Sequence, residues 1–263
     1  VGKTLLLHAE QGLGDTIQFC RYAQLARAQG ARVVMLVPAQ LQQLLAAADS
    51  AVSVLTDADR LPEVDLHCAM LSMPLALGTR LETIPEPGRY LCPDAERVHA
   101  WRERIGTHGL KVGIRWQGRN GIRADIGRSP PLAKLAPLAG IPGVRLISLQ
   151  KGAGTEQLDE MAGTIPLEVV LDDDEGPGSL LDTAALLDCL DLVITSDTSI
   201  AHLAGALARP TWVALKFSPD WRWLLDRTDS PWYRNMRLYR QPEPGDWDSV
   251  FAAMRADLRK SNI

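Results

Sequence analysis

Short, strand-length apolar runs alternate with helical segments along most of the chain, and this alternation restricts the fold more than any other feature. Residues 4–9 (TLLLHA) form the first run, and residues 11–15 (QGLGD) break it. Residues 15–29 then read as a helix. Ile17, Phe19, Cys20, Ala23 and Ala26 line its apolar face, and Gly30 stops it. A strand follows at 32–37, a helix at 41–47, and strands at 52–55 and 64–68. The runs are continuously apolar rather than alternating, which marks a parallel sheet covered on both faces.

Residues 83–93 (TIPEPGRYLCP) interrupt the pattern with prolines and a glycine, too irregular for an element interior. This stretch is the expected interdomain linker. A helix at 95–105 leads into a second series, with strands at 111–116, 144–149, 167–171, 192–195 and 211–215. Helices are expected between them at 132–139, 180–190 and 199–207. An amphipathic helix at 246–260, apolar through Trp247, Val250, Phe251, Met254 and Leu258, closes the chain. The pattern predicts two open α/β domains with a cleft between them, residues 1–93 and 94–245. Ligands of such sheets sit at the carboxyl ends of the strands. The chemistry should therefore lie in the loops after Ala9, Trp116, Leu149 and Thr195.

Composition excludes several classes. The chain has 263 residues, 46% hydrophobic, with a net charge of −4. It is neither disordered nor basic enough to hold a nucleic-acid polymer or an anionic membrane. No apolar run approaches the roughly 18 residues that span a bilayer. The start at Val1-Gly2-Lys3 carries no initiator Met and no signal-peptide layout. It reads as the edge of a piece cut from a longer protein. Four cysteines, none in a CxxC pair, point to reduced and mostly buried thiols of a cytoplasmic protein rather than to zinc.

Several motifs carry chemistry. Gly2-Lys3-Thr4 imitates the end of a phosphate-binding loop, but a strand rather than a helix follows it, so that reading fails. Gly12-Leu13-Gly14-Asp15 follows a strand and opens a helix. Ile17 stands where the dinucleotide fingerprint needs its third glycine, leaving a tight turn that lets another molecule approach the backbone. Asp15 has two open readings, a helix N-cap and a carboxylate aimed into the cleft as a general base. Ser196-Asp197-Thr198-Ser199 starts the helix that holds His202. It can cap that helix, and its free amides and dipole can hold an anion. Asp197 would oppose an anion and suits a sugar hydroxyl or loop amides. His202 lies four residues after Thr198, on the same helix side.

The loop at 115–128 gathers Arg115, Arg119, Arg123 and Arg128, either as a solvated loop or as one able to close over a phosphate. Lys151 and Gly152 stand at another strand end. The tryptophans within residues 219–232 suit packing better than an aromatic wall for a sugar or base. Asp172-Asp173-Asp174 reads as a solvated loop, and no residue set has the spacing of a metal site.

The segments GLGDTIQF and SDTSIAHLAGALARPTWVAL together resemble glycosyltransferase family 9, the heptosyltransferase-like enzymes. KFSPDWRW and SPWYRNMRLYRQ are similar to the variant found C-terminal to tetratricopeptide repeats in bacterial proteins. The resemblance implies the GT-B fold, two Rossmann-like α/β domains across a cleft, with the C-terminal helix 246–260 crossing back to the first. It implies an inverting transferase taking a nucleotide-diphosphate sugar as donor. The cations and helix-start amides of the chain, with no residue set of metal-ligand spacing, predict metal-independent transfer without a cofactor. The acceptor, a protein, lipid or glycan, would sit against the first half at the Gly12 and Gly14 loop.

By the same resemblance, Asp15 deprotonates the acceptor hydroxyl. Thr198 and Ser199 hold the diphosphate, Asp197 and His202 line the donor site, and Arg128 stands for a family cation, with Lys151 nearby. Ser199 departs from the family's usual glycine. An upstream repeat domain is expected as a partner. The rival readings are a non-catalytic nucleotide-sugar-binding module of a repeat protein, a GT-B sugar-nucleotide epimerase, and a periplasmic binding protein.

Overall fold

A computed structural model describes residues 2–86, 88–118, 126–172 and 179–260. The first half forms a four-stranded sheet in the order β3-β2-β1-β4, from β1 (Thr4–His8), β2 (Arg32–Leu36), β3 (Ser53–Leu55) and β4 (Leu66–Ala69). The second forms a six-stranded sheet in the order β10-β9-β8-β5-β6-β7. Its strands are β5 (Leu110–Arg115), β6 (Val144–Ser148), β7 (Leu167–Val169), β8 (Leu192–Ser196), β9 (Thr211–Leu215) and β10 (Met236–Arg240). Every ladder is parallel, as the continuously apolar strands predict. Strand order reverses between β5 and β8, so the loops leaving those two strands flank the crevice where ligands collect in such sheets.

The helix expected from residue 15 begins earlier and is broken. It comprises α1 (Leu13–Phe19) and α2 (Tyr22–Ala28). Side chains claim two carbonyls at the break. Ile17 O accepts the Tyr90 hydroxyl at 3.0 Å, and Gln18 O accepts Arg21 Nε at 2.7 Å. The remaining helices of the first half are α3 (Ala39–Ala48) and the short α4 (Met73–Ala76). Those of the second are α5 (Ala95–Ile105), α6 (Glu156–Glu160), α7 (Ser179–Asp188), α8 (Ser199–Ala206) and α9 (Trp247–Lys260). The helix expected at 132–139 is instead a 3-10 helix, Leu132–Leu138, because Pro137 inside it has no amide proton for the α-helical ladder. Strand β10 carries no expectation from the sequence.

The fate of the last helix also differs from the expectation. α9 does not return to the first sheet. Its apolar stripe, Trp247, Val250, Phe251, Met254 and Leu258, packs with Leu132, Leu135 and Leu138 and with Val112, Ile114 and Trp116 of the second sheet. The resemblance supplied the crossing; the packing follows the stripe, which finds its apolar partner on the sheet that immediately precedes it in the chain.

The two halves meet instead through α1 against α8, through α3 against α7, and through the segment between the 3-10 turn Trp221–Trp223 and β10. Phe19 packs edge-on to Trp232, and both belong to an apolar cluster that also holds Leu7, Leu149 and Val193. Residues 84–86 and 88–93 are irregular, as expected, and are anchored to the second half. Tyr90 and Leu91 are buried, and their amides both donate to Ala206 O at the end of α8, at 3.0 and 3.2 Å.

At the centre of this seam lies Arg21, only 3% exposed. It donates to Gln18 O, to Pro85 O (3.2 Å), to Trp232 O (2.8 Å) and to the Tyr90 hydroxyl (2.9 Å). Its guanidinium carbon lies 4.7 and 4.6 Å from the ring centroids of Tyr90 and Tyr233. Carbonyl dipoles and aromatic faces, rather than a carboxylate, stabilise this buried charge among the described residues.

Candidate active site

The loops after β1, β5, β6 and β8 open into one cleft of about 650 Å³ between the two sheets. Its walls include Gly12, Gly14, Asp15, Arg128, Lys151, Asp197, Thr198, Ser199 and His202, so residues far apart in the chain share one space. Arg119 and Arg123 lie outside the described residues, as do Asp173 and Asp174.

On the first side, Gly12 occupies the N-cap of α1 and Asp15 the third helical position. Asp15 is therefore not the N-cap. Its Oδ2 reaches back to accept the Gly12 amide at 3.1 Å, and Oδ1 accepts Arg222 Nη2 at 2.6 Å. The two contacts fix the carboxylate while its side chain stays 14% exposed on the cleft wall. The two glycines differ in kind. A Cβ at Gly14 would lie 2.8 Å from His202 Cδ2 and 3.3 Å from Ser199 Cα, so its bareness lets α1 pack onto the start of α8. A Cβ at Gly12 would meet only Asp15 Oδ2, at 3.5 Å, and its φ of −73° suits any residue.

On the second side, α8 points its N-terminus into the cleft. Thr198 is the N-cap: its Oγ1 accepts the Ile200 amide at 3.3 Å and lies 3.0 Å from Thr195 Oγ1. The remaining free amides and the helix dipole make this end favourable for an anion. A Cβ at Gly118 would fall 2.8 Å from Arg128 Nη2 and 3.4 Å from Thr198 Cγ2. Gly118 thus makes room for the Arg128 guanidinium beside the helix start. Arg115 braces the cleft floor, donating to Gln117 O, Leu149 O and Lys151 O at 3.0, 2.9 and 3.3 Å. Gln150, buried, binds the two loops together through the Trp116 and Gln117 amides and the Gln117 and Ala153 carbonyls. This bracing holds Lys151 on the wall.

Burial pushes the Asp197 carboxyl above its ordinary range, against the pull of the Trp223 indole and of Arg222 and Arg128. His202 is 2% exposed. Its Nδ1 lies 3.0 Å from the Tyr233 hydroxyl, and its ring stacks on Trp223 with centroids 5.6 Å apart. Burial, then the charges of Arg222 and Arg21, hold it well below the usual imidazole range, so it is neutral. Trp223 and Trp232 are buried, as a packing role requires, whereas Trp221 is exposed.

Sequence reasoning missed Arg222, Tyr233 and Gln150. Arg222 stands between two tryptophans in a stretch read as packing, and only the fold brings it to Asp15, 207 positions earlier in the chain.

Comparison with known proteins agrees with this architecture. Residues 143–215 match the family model for glycosyltransferase family 9 (heptosyltransferase). Protein FlbA of Caulobacter vibrioides is 26% identical over 286 residues, covering 98% of this chain and 46% of its own. The chain thus spans about half the length of that relative. Among solved structures, E. coli ADP-heptose lps heptosyltransferase II superposes with a TM-score of 0.61 at 14% identity, covering 98% of each chain. E. coli heptosyltransferase WaaC with ADP-2-deoxy-2-fluoro heptose gives 0.62 at 14% identity over 98% of this chain and 99% of its own. A glycosyl transferase family 9 protein from Veillonella parvula gives 0.67 at 11% identity, over 99% of this chain and 90% of that one. The fold is that of the GT-B heptosyltransferases. No helix among the described residues is long and apolar enough to cross a membrane.

Proposed function

We propose that the chain is the glycosyltransferase portion of a cytoplasmic bacterial protein, moving a sugar from a nucleotide-diphosphate donor to an acceptor hydroxyl. One observation carries the reading: a fixed carboxylate from the first half faces a cationic helix start from the second across one cleft. Asp15 takes the proton of the acceptor hydroxyl. The freed oxygen attacks the anomeric carbon as the carbon–oxygen bond to the diphosphate breaks, and the diphosphate leaves with that electron pair. Attack opposite the leaving group inverts the anomeric centre.

The departing charge meets the free amides of α8 at Thr198 and Ser199, with Arg128 and Lys151 beside them. Fixed donors of this kind stabilise developing charge without reorganising. Asp197 and His202 line the donor side. His202 is neutral and so adds no positive charge there, but it can donate or accept a hydrogen bond. Protein charges fill the role a divalent cation fills elsewhere, so transfer should survive a chelator, and loss of activity there would contradict this part of the reading. An upstream repeat domain would select the acceptor, a protein, lipid or glycan.

The test is donor turnover by the protein and by Asp15→Ala. The expected result is a fall of about two orders of magnitude with nucleotide binding retained. Binding without turnover in either protein would favour a non-catalytic module. Conversion of the donor sugar with no acceptor consumed would favour an epimerase.

A further inference from the structure

We infer that Arg222 is a positioning residue for Asp15, supplied by the second half of the molecule to orient a base carried by the first. The inference rests on the reading of Asp15 as the base. Arg222 sits in the short 3-10 turn Trp221–Trp223, whose start is fixed by Asp220 Oδ1 accepting the Arg222 amide at 3.1 Å. The same Asp220 oxygen lies 3.2 Å from Arg222 Nε, so the guanidinium is held from behind before it meets Asp15. Its Nη2 then donates to Asp15 Oδ1 at 2.6 Å.

Both side chains are mostly buried, 10% and 14% exposed, so water competes weakly with this bond. The Gly12 amide holds the other carboxylate oxygen. A carboxylate with each oxygen anchored has no freedom to rotate about its terminal bond. Only the Arg222 anchor comes from across the cleft, so Asp15 is correctly oriented only while the two halves are apposed. The exposed Trp221 ring lies against the cation, its centroid 5.6 Å from the Arg222 guanidinium carbon.

The effect of Arg222 should therefore pass through Asp15. Misplacing a reacting group by about 1 Å can cost on the order of 100-fold in rate. Nucleoside diphosphate release is measured with ADP-heptose, UDP-glucose, UDP-N-acetylglucosamine and GDP-mannose, and the fastest substrate is taken forward. Arg222→Gln should lower kcat by roughly 10- to 100-fold while the Kd for the released nucleotide changes by less than about threefold. Arg222→Lys, which keeps the charge but loses the planar fork, should recover part of kcat and controls for folding.

The decisive comparison is the double variant. Asp15→Asn with Arg222→Gln should be no slower than Asp15→Asn alone. A further fall in the double variant as large as that of Arg222→Gln alone, or a parallel rise in nucleotide Kd, would overturn the inference and make Arg222 a donor ligand. Full activity in Asp15→Asn, or no turnover of any donor by the unaltered protein, would instead overturn the reading beneath it.

Discussion

Replacing Gly14 by alanine adds one methyl group at the closest approach between the halves. The added Cβ would lie 2.8 Å from His202 Cδ2, where ordinary contact begins near 3.4 Å, so something must yield by about 0.6 Å. The ring has little room to do so. Trp223 stacks on one side, the Tyr233 hydroxyl bonds Nδ1, and the side chain is 2% exposed. The added Cβ itself cannot move aside freely, because the Ser199 backbone already lies 3.3 Å from it. Overpacking of this kind costs about 1–3 kcal/mol. Helix propensity alone works the other way, favouring alanine by up to about 1 kcal/mol.

The sign of the change therefore separates the two effects. Packing predicts a Tm lowered by roughly 2–8 °C in a chain of this size. Urea unfolding should show a lower midpoint at unchanged slope. Gly12→Ala, where the added carbon meets only an ordinary contact, is the control without overpacking and should lose only the several tenths to about 1 kcal/mol that an alanine N-cap costs. A Tm that rises in Gly14→Ala would refute the packing argument, because the halves would then meet less closely than described.

Three further outcomes follow from the buried polar groups. The raised Asp197 carboxyl makes the folded state hold its proton longer than the unfolded chain, so its contribution is intact below pH 3.8 and is lost as pH rises through the native value. Asp197→Asn should hence raise Tm at pH 7, with the gain fading toward pH 4, a pattern read by thermal melts across pH. His202 behaves oppositely: the unfolded chain protonates near 6.5 while the folded one stays neutral until well below, so stability should fall as pH drops under 6.5, and His202→Gln should flatten that slope. Arg21→Met strands the carbonyls of Gln18, Pro85 and Trp232 and should cost about 3 kcal/mol in urea unfolding. An unchanged midpoint would show that the seam does not depend on the guanidinium.

Local pattern made much of this molecule legible. Continuously apolar strands announced parallel sheets, and strand-to-helix loops carrying Gly12, Asp15, Lys151 and Thr198 announced where the cleft would open. What stayed hidden depends on distance along the chain. Arg222 reads as part of a tryptophan-rich packing segment until the fold sets it against Asp15. Gln150 is one polar residue at a strand end until its amide is seen binding two loops. The break after Phe19 is only partly local: Arg21 takes Gln18 O from three residues away, but Tyr90, which takes Ile17 O, lies 73 positions from it. The apolar stripe of α9 was visible, but a stripe does not say which sheet it covers; proximity to the second sheet decided that.

The most direct measurement is a calorimetric titration of the protein with ADP, UDP and GDP, repeated with Arg128→Ala. A cleft built for a nucleotide diphosphate should bind at least one of them saturably. Losing the Arg128 guanidinium beside the start of α8 should weaken that binding by about tenfold or more. Binding of none of the three, or binding that Arg128→Ala leaves unchanged, would contradict the assignment of this cleft to a nucleotide-sugar donor.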